Sequence, residues 1–221
     1  MAARRELTDT DRGVAENLVR LVQVVFGFVL AQSLGSESAV VLRPWRAGNR
    51  LDAVALLGVY VTTVMSWIDW HATIARHPYD FSERHGLRIA ERLRFGVDLF
   101  VVSVYAFTLF AVRELATSGA GLYLFGYVAM FAGYVVSGWL RRRRYGPAAS
   151  ILPPIVVFGT VALLAWVGLL VLEANDWGGS RGRAWGGVLM AVATMFAFRF
   201  VHTRARVRWR VRRAAAAAEP S

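Results

Sequence analysis

Six apolar stretches, at 18–34, 51–70, 95–113, 120–140, 152–172 and 185–203, alternate with clusters of arginine. No other feature constrains the chain as much. A helix rises about 1.5 Å per residue, so about 20 apolar residues cross a hydrocarbon core of about 30 Å. In that core the backbone must satisfy its own hydrogen bonds, and runs of this length do so as helices. The pattern predicts an all-α membrane protein with six transmembrane helices. Residues 1–17 form an N-terminal segment, 18–203 the membrane domain, and 204–221 an Arg-rich tail. A soluble domain is excluded by the 56% hydrophobic content and the mean hydropathy of +0.42. Pro153 and Pro154 open the fifth stretch, where a missing N–H costs nothing. Gly35, Gly48, Gly119, Gly121, Gly146 and the run Trp177 to Ser180 mark turns.

The basic residues give an orientation. All 26 are arginine, and lysine is absent. With the N-terminus inside, nineteen arginines fall in the cytoplasmic segments and six in the external ones; Arg20 lies within the first span. This asymmetry predicts a multi-pass protein of the inner (plasma) membrane with both termini cytoplasmic. The net charge of +11 therefore reads as a topology signal rather than as a nucleic-acid surface. Trp45, Trp67, Trp70, Trp139, Trp177, Trp185 and Trp209 fall near span ends, where interfacial rings belong; Trp166 does not. Arg4 to Glu16 is polar, without the pattern of a cleaved leader. In the longest loop, His71 to Arg94, Asp80 and Glu83 have capping-box spacing. They predict a helix carrying Arg84, Arg88 and Arg92 into the third span.

Polar residues within hydrocarbon are costly and mark sites by default. On the first span Glu16, Arg20, Gln23, Gly27, Ala31 and Leu34 share one face. Gly27 and Ala31 form a small-x-x-x-small pair that permits close helix approach. Arg20, Gln23, Gly27, Ala31 and Leu34 are thus candidates for lining a pore or for a subunit contact. An interfacial Glu16–Arg20 pair with ordinary packing accounts for the same spacing. Asp69 and His71 end the second span, on which Thr62, Ser66 and Asp69 share a face; Arg94 and Asp98, four apart, begin the third. Asp69, His71, Arg94, Asp98 and Arg20 are expected at one depth near the cytoplasmic face, as a gate, a proton-sensing site or a structural lock. Asp69, His71, Asp98 and His202 lack metal-ligand spacing, and His202 adjoins a dense arginine run. Cysteine is absent, which removes disulfides, thiolate metal sites and a cysteine nucleophile. No catalytic motif is present, and neither an enzyme nor a cofactor is expected. Arg204, Arg206, Arg208, Trp209 and Arg210 predict a basic helix lying on anionic lipid headgroups, followed from Ala214 by a frayed tail.

Arg20-Leu-Val-Gln-Val-Val-Phe-Gly27 resembles the first span of the transmembrane protein 175 family of potassium channels. That family carries Arg, then Phe-Ser-Asp, then a small residue. Arg20 and Gly27 match; Val24, Val25 and Phe26 stand where the family has Phe-Ser-Asp. Ser66-Trp67-Ile68-Asp69-Trp70-His71 is similar in character to the end of the family's second span. The resemblance covers about a third of the chain. It implies six spans, cytoplasmic termini and a pore constriction on the first span. Ala31 occupies the constriction's isoleucine position, and Leu34 a position where threonine is frequent, so potassium selectivity does not carry over. The resulting expectation is a homo-oligomeric cation channel, potassium among its candidate ions. The alternative is a membrane anchor or effector that engages a protein partner through its Arg-rich cytoplasmic face.

Overall fold

The computed structural model describes residues 9–46, 48–79, 85–115, 119–146 and 152–218, with side chains outside 9–12, 85–88 and 205–218. Seven helices account for almost all of them: α1 (Asp9–Ser36), the short α2 (Ser38–Leu42), α3 (Arg50–Arg76), α4 (His85–Arg113), α5 (Gly121–Tyr145), α6 (Leu152–Ala174) and α7 (Ser180–Ala218). No strand occurs among the described residues. Six helices, all but α2, are long and apolar enough to cross a membrane. The expected all-α class and the six spans are therefore present, as is the multi-pass character.

As expected, a helix that begins at His85 carries Arg88 and Arg92 into the third span without a break. Two boundaries differ from the sequence expectation. Residues 9–17 already belong to α1. Likewise α7 runs on to Ala218, and the alanines after Arg213, good helix formers, extend it instead of fraying. The Asp80–Glu83 cap and Arg84 lie outside the described residues, as do the side chains of Arg206, Arg208, Trp209 and Arg210.

Chain reversals sit where backbone chemistry favours them. Gly146, with φ 85°, closes α5. Between α6 and α7, Asp176, Gly178 and Gly179 all take positive φ, a region open to glycine and tolerated by Asp. Arg183 pairs with Asp176 across this turn at 3.1 Å. Pro153 and Pro154 occupy the first turn of α6, as their missing N–H groups allow.

The helices pack around α5, which contacts α4, α6 and α7; α3 closes against α4 and α7, and α1 lies outside against α4. Glycine makes these contacts close. A Cβ on Gly133 would stand 2.7 Å from Val101, one on Gly58 2.6 Å from Val192, and one on Gly126 would collide with Thr108. Close backbone approach through small residues is how helices associate when both solvents are apolar. The buried core includes Leu56, Val59, Val102, Leu124, Met130, Phe131 and Val188. α6, the most apolar span, with mean hydropathy 2.7, turns most of its side chains outward.

Side-chain contacts define the two ends. At one, α3, α4, α5 and α7 bring Arg76, Arg94, Arg141 to Arg144 and Arg199 together with Asp69, Glu91 and His202. At the other, Arg113 pairs with Glu37 and the start of α7 lies against Ala120.

Candidate functional site

The Arg-rich half of the bundle encloses a cavity of about 110 Å³. Each wall arises from helical spacing. On α3, Ser66, Asp69, Trp70 and Thr73 fall on one face; on α4, Arg94, Asp98 and Tyr105 do so; on α5, Tyr134, Ser137 and Arg141; on α7, Arg199 and His202. These four helices surround the space, with Phe26 of α1 and Ile155 of α6 sealing the sides.

Arg199 is the centre of one wall and is only 8% exposed. Its Nη1 donates to Asp69 Oδ2 at 2.6 Å, and its Nη2 donates to Ser66 Oγ, to Tyr134 Oη at 3.4 Å and to the Thr62 carbonyl at 3.4 Å. Its Nε finds no acceptor. His202 Nδ1 stands 3.6 Å from the same Asp69 oxygen. Tyr134 also hydrogen-bonds Ser66 and, at 2.6 Å, Tyr105. A buried guanidinium needs a carboxylate and hydroxyl acceptors to offset its desolvation, and this wall supplies both.

The opposite wall is built on Asp98. Its Oδ2 accepts from Tyr79 Oη at 2.5 Å and from Trp70 Nε1 at 3.1 Å. Arg94, one turn away, turns elsewhere. It donates to the His77 carbonyl at 2.7 Å, to Glu91 at 3.3 Å and to Tyr145 Oη at 3.2 Å, and it lies over the Tyr79 ring. Arg94 and Asp98, spaced so that they could pair, take separate partners, because the chain after α3 brings Tyr79 to Asp98 and the His77 carbonyl to Arg94. Arg141 donates to Ser137 Oγ at 3.0 Å and to Thr73 Oγ1 at 3.4 Å. In the segment between α3 and α4, burial and the Asp98 carboxylate push the Tyr79 hydroxyl up from its ordinary value. Burial, then Arg94, Arg76 and Arg141, push the His77 imidazole down.

Of the residues singled out from sequence, Asp69, Arg94 and Asp98 meet at this cavity. His71 does not. It lies against the Trp67 and Trp70 rings, with its Nε2 3.5 Å from Gln23 Nε2. Trp67 and Trp70 stack in a row with Phe26, at ring separations of 4.2 and 5.3 Å. On α1 itself the packed face is Val22, Phe26 and Ser33. Arg20, Gly27, Ala31 and Leu34 face away from the bundle, and Gln23 lies half-buried at its edge. Arg204 stacks over the Phe200 ring at 4.1 Å. Sequence reasoning missed Arg199, Tyr105 and Tyr134 as site residues. Arg199 sits a full turn inside the apolar stretch 185–203, close to the arginines of the basic tail.

Comparison with known protein families, with curated proteins and with solved structures finds no match for this chain.

Proposed function

We propose that the chain translocates an ion across a bilayer, with its Arg-rich end cytoplasmic, and that the ion passes by the cavity between α3, α4, α5 and α7. The observation that supports this reading is the Asp69–Arg199 pair, held at membrane depth on a cavity wall. A buried ion pair is rarely the most stable filling for its volume; apolar side chains of the same size often do better. A helix bundle serving only as an anchor has no need of charge there, whereas a polar route through hydrocarbon does. Two carboxylates, Asp69 and Asp98, share the small cavity with Arg94, Arg141 and Arg199, so the site suits a small, tightly controlled ion better than a wide aqueous pore.

The test is flux into liposomes holding the purified protein, with H⁺, K⁺, Na⁺ and Cl⁻ gradients applied separately. At least one ion should move faster than in protein-free vesicles, and Asp69→Asn should slow it. Absence of flux for all four would overturn the reading and favour an anchor whose Arg-rich face binds a protein partner. A second reading, a cation or potassium path along the axis of a homo-oligomer, is favoured by the outward exposure of Gly27, Ala31 and Leu34 on α1. It differs in its sensitivity: Ala31→Asp would then alter K⁺ conductance, and Asp69→Asn would not.

A further inference from the structure

The polar wall of the cavity is one half of a longer row. Along α5, Tyr123, Tyr127, Tyr134, Ser137 and Arg141 fall on a single face, and from the first to the last the helix rises about 27 Å, close to the hydrocarbon thickness of about 30 Å. The facing residues of α3 are Ala55, Gly58, Thr62, Ser66, Asp69 and Thr73. At the end away from the arginines, Tyr123 Oη donates to the Ala55 carbonyl at 3.0 Å and lies 3.2 Å from Tyr127 Oη. A Cβ on Gly58 would stand 3.2 Å from Tyr123 Oη and 3.5 Å from Tyr127 Oη. Asp52, half-buried in the first turn of α3, stands one turn beyond Ala55 toward that end. Next comes Thr62, which faces Tyr127, while its Oγ1 is buried without a hydrogen-bond partner. The Thr62 carbonyl accepts from Arg199, which joins Ser66, Tyr134 and Asp69, and the row then opens into the cavity.

Packing along the Tyr123–Ser66 half leaves no room for a hydrated ion: Gly58 lacks space for even a Cβ, and Tyr123, Thr62 and Thr63 are at most 2% exposed. A proton needs no such room. A hydroxyl oxygen takes one proton on its lone pair, releases the one it held and rotates back; the relay requires Thr62 Oγ1, unpartnered at rest, to turn between Tyr127 and Ser66.

We propose that this α3–α5 seam is a proton path, with Asp69 as the group on which the proton rests between the hydroxyl row and the cavity. The proposal rests on the ion-translocation reading and names its ion. A proton arriving by way of Ser66 and Tyr134 adds to the Asp69 carboxylate, giving the neutral acid. It leaves to His202 Nδ1 or to solvent in the cavity, and the carboxylate re-forms its pair with Arg199. Nothing is consumed. The fixed charge of Arg199 repels every free cation from this point. The proton passes because it binds covalently to Asp69 instead of sitting beside the guanidinium as a separate charge.

The experiment measures proton uptake into proteoliposomes with an internal pH dye, driven by a potassium diffusion potential. Wild-type protein should acidify the lumen faster than empty vesicles do. Thr62→Val and Tyr127→Phe, which remove one hydroxyl each at nearly constant volume, should slow uptake at least tenfold; Thr62→Ser should retain it, and Asp69→Asn should abolish it. Unchanged melting temperatures of the Thr62 and Tyr127 variants establish that their folds are intact. Should Thr62→Val and Tyr127→Phe both match wild type, the seam is not the path. Should the protein pass K⁺, Na⁺ or Cl⁻ but no protons, the proton path fails while ion translocation stands. Silence toward all four ions removes both.

Discussion

Arg199 shows how one side chain can organise a membrane interior. Its guanidinium ties α7 to α3 through Asp69, Ser66 and the Thr62 carbonyl and to α5 through Tyr134. Removing one member of a buried pair leaves a charge without its partner, at a cost of about 3–5 kcal/mol. Asp69→Asn should therefore lower thermal stability markedly, and Asp69→Leu combined with Arg199→Met should recover much of the loss. Melting of the detergent-solubilised protein measures both; a double variant no more stable than the single would refute the pairing. His77 makes a second prediction at this scale. Its folded imidazole titrates below the ordinary value of 6.5, so the folded chain binds that proton more weakly than the unfolded chain does. Above about pH 6.5 both states are neutral there and His77 adds no pH dependence. As pH falls through that value the unfolded state protonates first, and stability declines. The decline in melting temperature from about pH 7 to about pH 5.5 should be shallower in His77→Gln; an identical slope would assign it to other groups. Neither residue was legible as a site in the sequence. A single arginine beside a run of six looks like part of the run, and His77 owes its environment to Arg94 and Arg141, which only the fold brings near.

At the scale of the helix, the tightest glycine contacts are not the ones the sequence pointed to. The Gly27–Ala31 spacing on α1 has the form of a packing motif, yet a Cβ on Gly27 meets nothing within 4 Å in the chain. The close approaches within the chain are at Gly126 and Gly133 of α5 against α4, at Gly187 of α7 against Ala120, and at Gly58 of α3 against α7. Gly133→Leu should cost at least about 1–3 kcal/mol through overpacking. Gly27→Leu should leave the melting temperature of the single chain where it was, and change only the assembled size if α1 meets a second copy. Equal melting temperatures for wild type and Gly133→Leu would contradict the packing described here. Spans were legible because hydropathy over a whole turn of chain is a strong signal. Faces were less so. Tyr123, Tyr127 and Tyr134 read as apolar bulk in a hydropathy pattern, and their hydroxyl row emerges only when α3 presents Thr62 and Ser66 opposite. On α1 the bulkier Val22 and Phe26 pack inward, and the small face of Gly27 and Ala31, the candidate pore lining or subunit contact, is left exposed.

For the molecule as a whole, the nineteen arginines against six predict which end faces the cytoplasm. Reporters fused after Arg144 and at Ser221 should read cytoplasmic, and those near Arg46 and Gly179 external; a cytoplasmic signal at Gly179 would break the six-span arrangement. The central place of α5 bears on how such a chain is made. Its mean hydropathy is 1.4, against 2.7 for α6, and it carries the tyrosine row, Ser137 and Arg141. Alone among lipid tails those groups would lack most of their partners. When α5 leaves the ribosome, α3 and α4 have been made, but Arg199, which bonds Tyr134, is still unsynthesised. The tyrosine row and Arg141 therefore find Ala55, Ser66, Thr73 and Tyr105 already made, and the Tyr134–Arg199 bond waits for α7.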